Sequence, residues 1–484
     1  MFAPVAVPLW LLVLIVAFAT VAFLSHFLFP SVRWFFRRRM ERAVVELNRR
    51  LDRPIQPFKL MARNDMIIRV IHDPKVMEAV VAEAAQTGEP ETVVLERARR
   101  YAREIVPSFS ATLYFGVAMR LARWLARLAY RVRVGKFDAE EIRAIDRDAT
   151  VVFVMNHRSN MDYVLVTHLA ASRSALSYAV GEWAHVWPLS ALIRAMGAYF
   201  IRRRHNSALY RRVLARYVQL AVEAGVTQAV FPEGGLSLDG RVGAPRLGIL
   251  SYIVGGYRPE GRDVVFIPVA LAYDRVLEDR VLIAAAAAGE RRFRASVGTI
   301  LAFLLRNLWK KLRGRFRRFG YAAVGFGTPV SLGAFLAAGG GDATERLAAE
   351  LMDRICQSLP VLPVPLVAAA IADEAGLPLA EVLARSESMV AALAAAGAEP
   401  VLPPGGVRGA VEAGIDMLVL RRILRRAGDR IEVAEGQGPI LGFYAAGLRQ
   451  HADAVAAAAA AAASAGAAPA RPPRRRRARA VVRT

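Results

Sequence analysis

From Phe2 to Phe29 the chain carries no charged side chain. Roughly 20 apolar residues cross a hydrocarbon core about 30 Å thick, so the pattern predicts a spanning helix over about Pro8 to Phe29, within an anchor at 1–32. A cleaved signal peptide is the rival, but no basic region precedes the apolar run and the run is long for one. Arg33, Arg37, Arg38 and Arg39 follow at once. Positive residues stay on the cytoplasmic side, which is where the rest of the chain is expected.

Two later stretches alternate apolar and basic faces. From Ala111 to Arg133, Leu121, Trp124, Leu125 and Leu128 recur at helical spacing, while Arg120, Arg123, Arg127 and Arg131 fall on another face. Arg291 to Arg318 holds ten Lys or Arg and no acid around the apolar run Ile300 to Leu305, with Trp309 beside Lys310 and Lys311. Both patterns suit helices lying among anionic headgroups with their apolar side down. For the first, a core-facing helix with a solvated basic face fits equally well.

Elsewhere the pattern shortens. Val151 to Val154, Ala198 to Ile201, Gln228 to Phe231 and Val264 to Val269 are brief runs rich in β-branched and aromatic residues, as buried strands require. They predict an α/β domain at 136–335, with a central β-sheet flanked by helices, behind a helical, basic, membrane-proximal region at 33–135. Gly339 to Gly341 and Pro360 to Pro365 punctuate the passage to a helical C-terminal region at 336–452. The alanine run from Ala454 gives way to Arg471 to Arg477, so 453–484 is expected to be a short helix and a disordered basic tail.

The strand Val151 to Val154 runs into the polar turn Asn156-His157-Arg158-Ser159-Asn160, and Met161-Asp162-Tyr163 opens a helix that Ser159 or Asn160 can cap. The turn lets Asp162 reach one ring nitrogen of His157. A carboxylate there fixes the tautomer and leaves the other nitrogen free to take a proton from an alcohol. On spacing alone, a His and an Asp five apart are more often a helix-capping pair than a catalytic one.

Companion blocks change that balance. Beside His157 to Tyr163 stand Gly197-Ala-Tyr-Phe-Ile-Arg-Arg203, Phe231-Pro-Glu-Gly-Gly-Leu-Ser237 and Phe266-Ile-Pro-Val-Ala-Leu-Ala-Tyr273. In this order and spacing they resemble the four motif blocks of the glycerolipid acyltransferases, most closely the bacterial membrane-bound glycerol-3-phosphate acyltransferases. Trp187-Pro188, Gly240-Arg241 and Pro245-Arg246-Leu-Gly248 are similar to the spacers of that branch, and Gly442 to His451 faintly to the end of its chains. The resemblance spans about residues 150 to 275.

The resemblance implies acyl transfer from acyl-CoA or acyl carrier protein to the sn-1 hydroxyl of glycerol 3-phosphate, at the cytoplasmic face of the inner membrane. His157 would be the general base and Asp162 its orienting carboxylate. Arg202 and Arg203 would meet the phosphate, since guanidinium groups bind phosphate oxygens two at a time. Glu233, Gly234, Ser237, Arg241 and Arg246 would organise substrate, and Pro268 would shape the acyl site. One departure stands out: Leu236 and Leu238 occupy positions where the family carries basic residues. A leucine cannot hold a phosphate, so Arg241, Arg246 or the Arg202 cluster must supply that charge, or the acceptor differs. Lysophosphatidate acyl transfer and a catalytically silent membrane protein of the same fold remain alternatives.

Composition agrees with this frame. The 484 residues are 55% hydrophobic with a formal net charge of +24, which suits an anionic phospholipid membrane as partner. The basic residues lie beside apolar runs and no recognition module appears, so no specific nucleic acid is expected. Cys356, the single cysteine, excludes an intrachain disulfide and sits in an apolar helical pattern that favours a core role. His26 lies within the apolar N-terminal run and His168 in the helix after the turn, and no metal-site pattern emerges around His185 or His205. Neither a metal nor a cofactor other than the acyl donor is expected.

Overall fold

The structure, a computed structural model, describes residues 44–135, 139–170, 174–181, 189–202, 207–289, 318–396 and 402–466, with a few scattered positions besides. The expected anchor and nearly all of the basic run 291–318 lie outside the described residues, as does the arginine-rich tail. Among the described residues no helix is long and apolar enough to cross a membrane.

The elements that position the site are, in chain order, helices α1 (Pro74–Thr87) and α2 (Glu91–Ile105), strands β1 (Arg131–Val134) and β2 (Thr150–Met155), and helix α3 (Met161–Ala170). Strands β3 (Ser177–Gly181) and β4 (Tyr199–Ile201), helix α4 (Ala208–Glu223), strands β5 (Gln228–Val230) and β6 (Val264–Tyr273) and helix α5 (Asp279–Ala287) follow. Next come β7 (Tyr321–Phe326), β8 (Val330–Ser331), and helices α6 (Ala343–Gln357), α7 (Pro363–Ile371), α8 (Gly406–Leu420) and α9 (Gly438–Gly466).

The chain divides into two compact units, residues 1–123 with 166–227, and residues 124–165 with 228–484. In the first, α1, α2 and α4 pack together. Asp73 caps α1 by accepting from the Lys75 amide at 3.1 Å, ahead of Pro74, whose missing N–H is no loss at that position. The inward face of α4 buries Val213, Leu214, Tyr217, Val218 and Ala221. Strands β3 and β4 pair in parallel.

The second unit holds a mixed sheet in the order β1-β7-β6-β2-β5, with β8 also on β6. Strand β2 lies parallel to both β5 and β6, while β6 and β7 are antiparallel. All ten residues of β6 are buried, which explains its unbroken apolar sequence: a strand covered on both faces has no reason to alternate. Helix α6 packs against it. Pro268 sits inside this strand, and its lack of an N–H is tolerated because the neighbour changes there. Strand β8 pairs with Val265 and Phe266, and β7 begins pairing at Val269.

The C-terminal helices build on one another, α7 packing against both α8 and α9. Gly414 permits that crossing, because a Cβ there would lie 2.5 Å from the Pro363 carbonyl oxygen. A small antiparallel sheet of Gly376–Pro378, Leu424–Ala427 and Arg430–Val433 accompanies the helices. The alanine run continues α9 as far as Gly466, making it a 29-residue helix rather than a short one. The stretch from Ala111 is helical, with π geometry over Thr112–Ala118 and α geometry over Met119–Ala129.

Candidate active site

The last residue of β2, Met155, pairs with Val269 of β6. Asn156 then leaves the sheet with its side-chain amide standing in for backbone, donating to the Leu271 carbonyl at 3.1 Å and accepting from the Leu271 amide at 2.7 Å. This satisfies polar groups that would otherwise be buried unpaired and aims the next residue, His157, off the strand end.

His157 is held from three directions. Its amide donates to Glu233 Oε1 at 2.8 Å, its carbonyl accepts from the Ser237 amide at 2.9 Å, and its Nδ1 lies 2.8 Å from Asp162 Oδ2. The ring stacks on Phe231 with centroids 4.2 Å apart and meets Tyr163 edge-on at 5.6 Å. Asp162 is fully buried. Besides Nδ1, its Oδ2 accepts from the amides of Arg158 at 2.7 Å and Ser159 at 3.1 Å, and Oδ1 accepts from the Tyr273 hydroxyl at 2.7 Å. A carboxylate surrounded by donors makes Nδ1 a donor too, leaving Nε2 as the basic nitrogen. Among the described residues Nε2 has no partner. Burial and the adjacent Asp162 push the Tyr273 phenol well above its ordinary value, so it stays a neutral donor.

Ser159 is occupied otherwise. Its hydroxyl donates to Glu278 Oε2 at 2.8 Å and accepts from the Met161 amide at 3.2 Å, the first turn of α3. Glu278 also receives the amide and side chain of Asn160, at 3.3 and 3.0 Å. Two carboxylates therefore pin the turn, Asp162 from within and Glu278 from the start of α5.

Glu233 braces backbone: Oε1 takes the His157 amide and Oε2 the Gly243 amide at 3.0 Å. Burial pushes its carboxyl up to about 7, against the opposing pull of those two amides and Arg158. Ser237 ties the same loop, its hydroxyl donating to the Arg241 carbonyl at 2.6 Å and accepting from the Gly240 amide at 3.1 Å. Gly234 adopts φ 67°, and a Cβ there would lie 2.7 Å from Arg246 Cδ. The Arg246 stem therefore crosses Gly234, while Arg246 and Arg241 are themselves exposed. Arg158 is buried, bonded to the Gly240 carbonyl, with its guanidinium over the Phe443 ring of α9 at 5.7 Å. Pro268 serves the strand, its carbonyl accepting from Gly327 at 2.9 Å.

His157, Asp162, Glu233, Gly234, Ser237, Arg241, Arg246 and Pro268 all belong to the second unit; Arg202 belongs to the first. Arg202 is engaged by Glu104, with Nε 2.8 Å from Oε1 and Nη2 2.5 Å from Oε2, beside the contacting rings of Tyr101 and Tyr210. Arg203 lies outside the described residues. The sequence reading gave no role to Asn156, Tyr273 or Glu278. Tyr273 closes the fourth block and so was within reach; nothing local marks Glu278. Cys356 is buried, and burial pushes its thiol up to about 12. Among the described residues the one hydrogen bond of the buried His451 ring is to the Cys356 carbonyl, at 2.8 Å. Among the described residues no cluster of His, Cys, Asp and Glu could hold a metal.

Residues 136–272 match the family model described as Acyltransferase, and residues 304–445 match the one described as Glycerol-3-phosphate acyltransferase C-terminal region. Among curated proteins, the glycerol-3-phosphate acyltransferase of Ectopseudomonas mendocina (strain ymp) is 29% identical over 74% of this chain and 45% of its own length. That of Shewanella sp. (strain ANA-3) is 31% identical over 57% of this chain and 33% of its own. The chain thus spans less than half the length of these relatives. A solved 1-acyl-sn-glycerophosphate acyltransferase from Thermotoga maritima aligns with 60% of this chain and 94% of its own at 19% identity and a TM-score of 0.30. The chain thus carries a region matching the acyltransferase model, followed by one matching the C-terminal region of glycerol-3-phosphate acyltransferases.

Proposed function

We propose that the chain transfers an acyl group from acyl-CoA or acyl carrier protein to the sn-1 hydroxyl of glycerol 3-phosphate, giving lysophosphatidate. The observation that carries this reading is His157, whose Nδ1 and backbone are immobilised while Nε2 has no partner among the described residues. The named relatives supply the acceptor.

In the reaction Nε2 takes the hydroxyl proton as the oxygen attacks the thioester carbonyl. An ester C–O bond forms, the C–S bond breaks, and the imidazolium returns its proton to the departing thiolate. Asp162 keeps the ring in one tautomer and offsets its transient charge. The Ser159 hydroxyl, committed to Glu278 and the first turn of α3, supports direct transfer over an acyl-enzyme. Arg241 and Arg246, exposed on the loop that Glu233 and Ser237 tie to His157, would meet the acceptor phosphate.

The enzyme would act at the cytoplasmic face of the inner membrane. The apolar run 8–29 followed by four arginines supports this, and so does the helix Met119–Ala129, where Leu121 and Trp124 are 47% and 44% exposed beside exposed Arg120, Arg123 and Arg127. Apolar and basic side chains together at one surface suit an anionic headgroup layer. Membranes containing the protein, given one labelled acyl donor, should acylate glycerol 3-phosphate in preference to lysophosphatidate. Preference for lysophosphatidate would replace the acceptor assigned here.

A further inference from the structure

We infer that the cleft where the start of α5 meets the end of α8 binds a phosphate-bearing ligand. The cleft encloses about 310 Å³ and is lined by Arg275, Arg280 and Arg421 with Asp279, Leu277, Val281 and Leu420. Three guanidinium groups face one carboxylate. That carboxylate is spent: Asp279 Oδ2 receives Arg421 and, at 2.5 Å, the Tyr444 hydroxyl, while Oδ1 receives the Arg280 amide at 2.8 Å. Among the described residues the Arg280 guanidinium reaches only a neutral acceptor, Gln437 Oε1 at 3.2 Å.

Arg275 is the informative member. Among the described residues its guanidinium has no hydrogen-bond acceptor and no salt bridge, Asp279 attracting it only at longer range, and it rests on the Phe319 ring at 4.7 Å. It is half-buried, and burial together with the like charge of Arg421 holds it below its ordinary value. A partly desolvated cation pressed toward another is costly unless an anion completes the site. The first turn of α5 is already met by Asp279, whose Oδ1 receives the Arg280 amide, so the positive potential of the cleft comes from its guanidinium groups. Forked guanidinium donors fit phosphate oxygens, and the volume lies in the range of small-ligand pockets.

The cleft also connects to the candidate active site. Asp279 lines it, and the preceding residue, Glu278, holds Ser159 and Asn160 of the catalytic turn. Occupancy would therefore bear on the segment that carries His157. The phosphate could belong to glycerol 3-phosphate or to the coenzyme A of the donor; this choice of source rests on the proposed reaction, whereas anion binding itself does not.

The test titrates inorganic phosphate against the purified full chain at low salt, comparing wild type with Arg275→Gln and Arg280→Gln, and with Arg258→Gln as an exposed arginine outside the cleft. Binding should weaken at least tenfold in the first two and be retained in the third. Arg280 is exposed, so its variant reports even if Arg275→Gln fails to fold. Equal affinity in all four proteins, or no binding by wild type, overturns the site. In turnover, a raised Michaelis constant for glycerol 3-phosphate alone assigns the acceptor phosphate. A raised constant for acyl-CoA, with acyl-pantetheine unaffected, assigns the donor. Lost phosphate binding with both constants unchanged contradicts any role in the reaction. An inactive wild type would sink the proposed reaction but leave the phosphate titration readable.

Discussion

The hydroxyl of Tyr273 donates to Asp162 Oδ1 at 2.7 Å, on the far side of the carboxylate from His157 Nδ1. The tyrosine ends β6 and the aspartate opens α3, so the parallel pairing of β2 with β6 is what brings them together. Tyr273→Phe leaves Asp162 short of one donor in a fully buried site, which costs about 1–3 kcal/mol. With acceptor and donor Michaelis constants unchanged, turnover should fall about tenfold, because the ring's orientation loosens while substrate contacts remain. Unchanged turnover at a lowered melting temperature would reduce Tyr273 to a packing residue.

Asp162→Asn tests the tautomer directly. An amide can present an N–H to Nδ1, favouring the ring form in which Nε2 carries the proton and cannot act as base. Loss of base catalysis is worth roughly 10²–10⁴-fold, and turnover should drop within that range while the protein still binds acyl donor. The same carboxylate accepts the Arg158 and Ser159 amides, so a melting curve must accompany the kinetics.

Only part of this was legible in the sequence. The β-branched run ending at Met155, the polar turn and the helix from Met161 follow from local pattern, and with them the meeting of His157 and Asp162. Tyr273 and Glu278 stand 111 and 119 positions from their partners Asp162 and Ser159, and the pairing of β2 with β6 that carries the chain there cannot be read from either segment alone. Arg202 shows the same limit in reverse: the arginine run was evident, but its partner Glu104 comes from α2, 98 residues earlier. The small sheet among the C-terminal helices escaped because its strands have only three or four residues, too few to show a period. The extra length of β6 beyond Val269 was hidden by Ala270 and Ala272, which are poor strand formers until both faces are covered.

Gly240 is where the loop of the third block meets the C-terminal region. Its φ is 84°, and a Cβ would lie 1.8 Å from the Phe443 carbonyl oxygen. Gly240→Ala must therefore move α9 or the loop whose carbonyl receives Arg158. We expect destabilisation of more than about 2 kcal/mol, from backbone strain and lost packing together. Activity should fall with it, since Ser237 on that loop holds the His157 carbonyl. Chemical denaturation checks the first outcome and specific activity of the folded fraction the second.

Asp274 offers a test of pH dependence away from the reacting atoms. It is buried, accepts from the amides of Tyr321 at 2.7 Å and Val364 at 2.8 Å, and burial pushes its carboxyl from 3.8 up to about 7. Between those values the folded chain holds a proton that the unfolded chain has released. The contribution to stability is thus present in full below about pH 3.8 and is lost as pH rises through about 7. Glu233 acts in the same direction between 4.5 and about 7. The wild type should lose more stability than Asp274→Asn on going from pH 5 to pH 8. Parallel stability curves for the two proteins would contradict the raised carboxyl.

The most direct measurement is single-turnover transfer of a labelled acyl group from acyl-CoA to glycerol 3-phosphate by the full chain in membranes, with His157→Ala beside the wild type. Wild type should yield 1-acylglycerol 3-phosphate with no acylated protein on the way, and His157→Ala should be slower by at least about 10²-fold with its fold intact. Equal rates for the two proteins, or a labelled acyl-enzyme chased into product, would contradict His157 as the general base of a direct transfer.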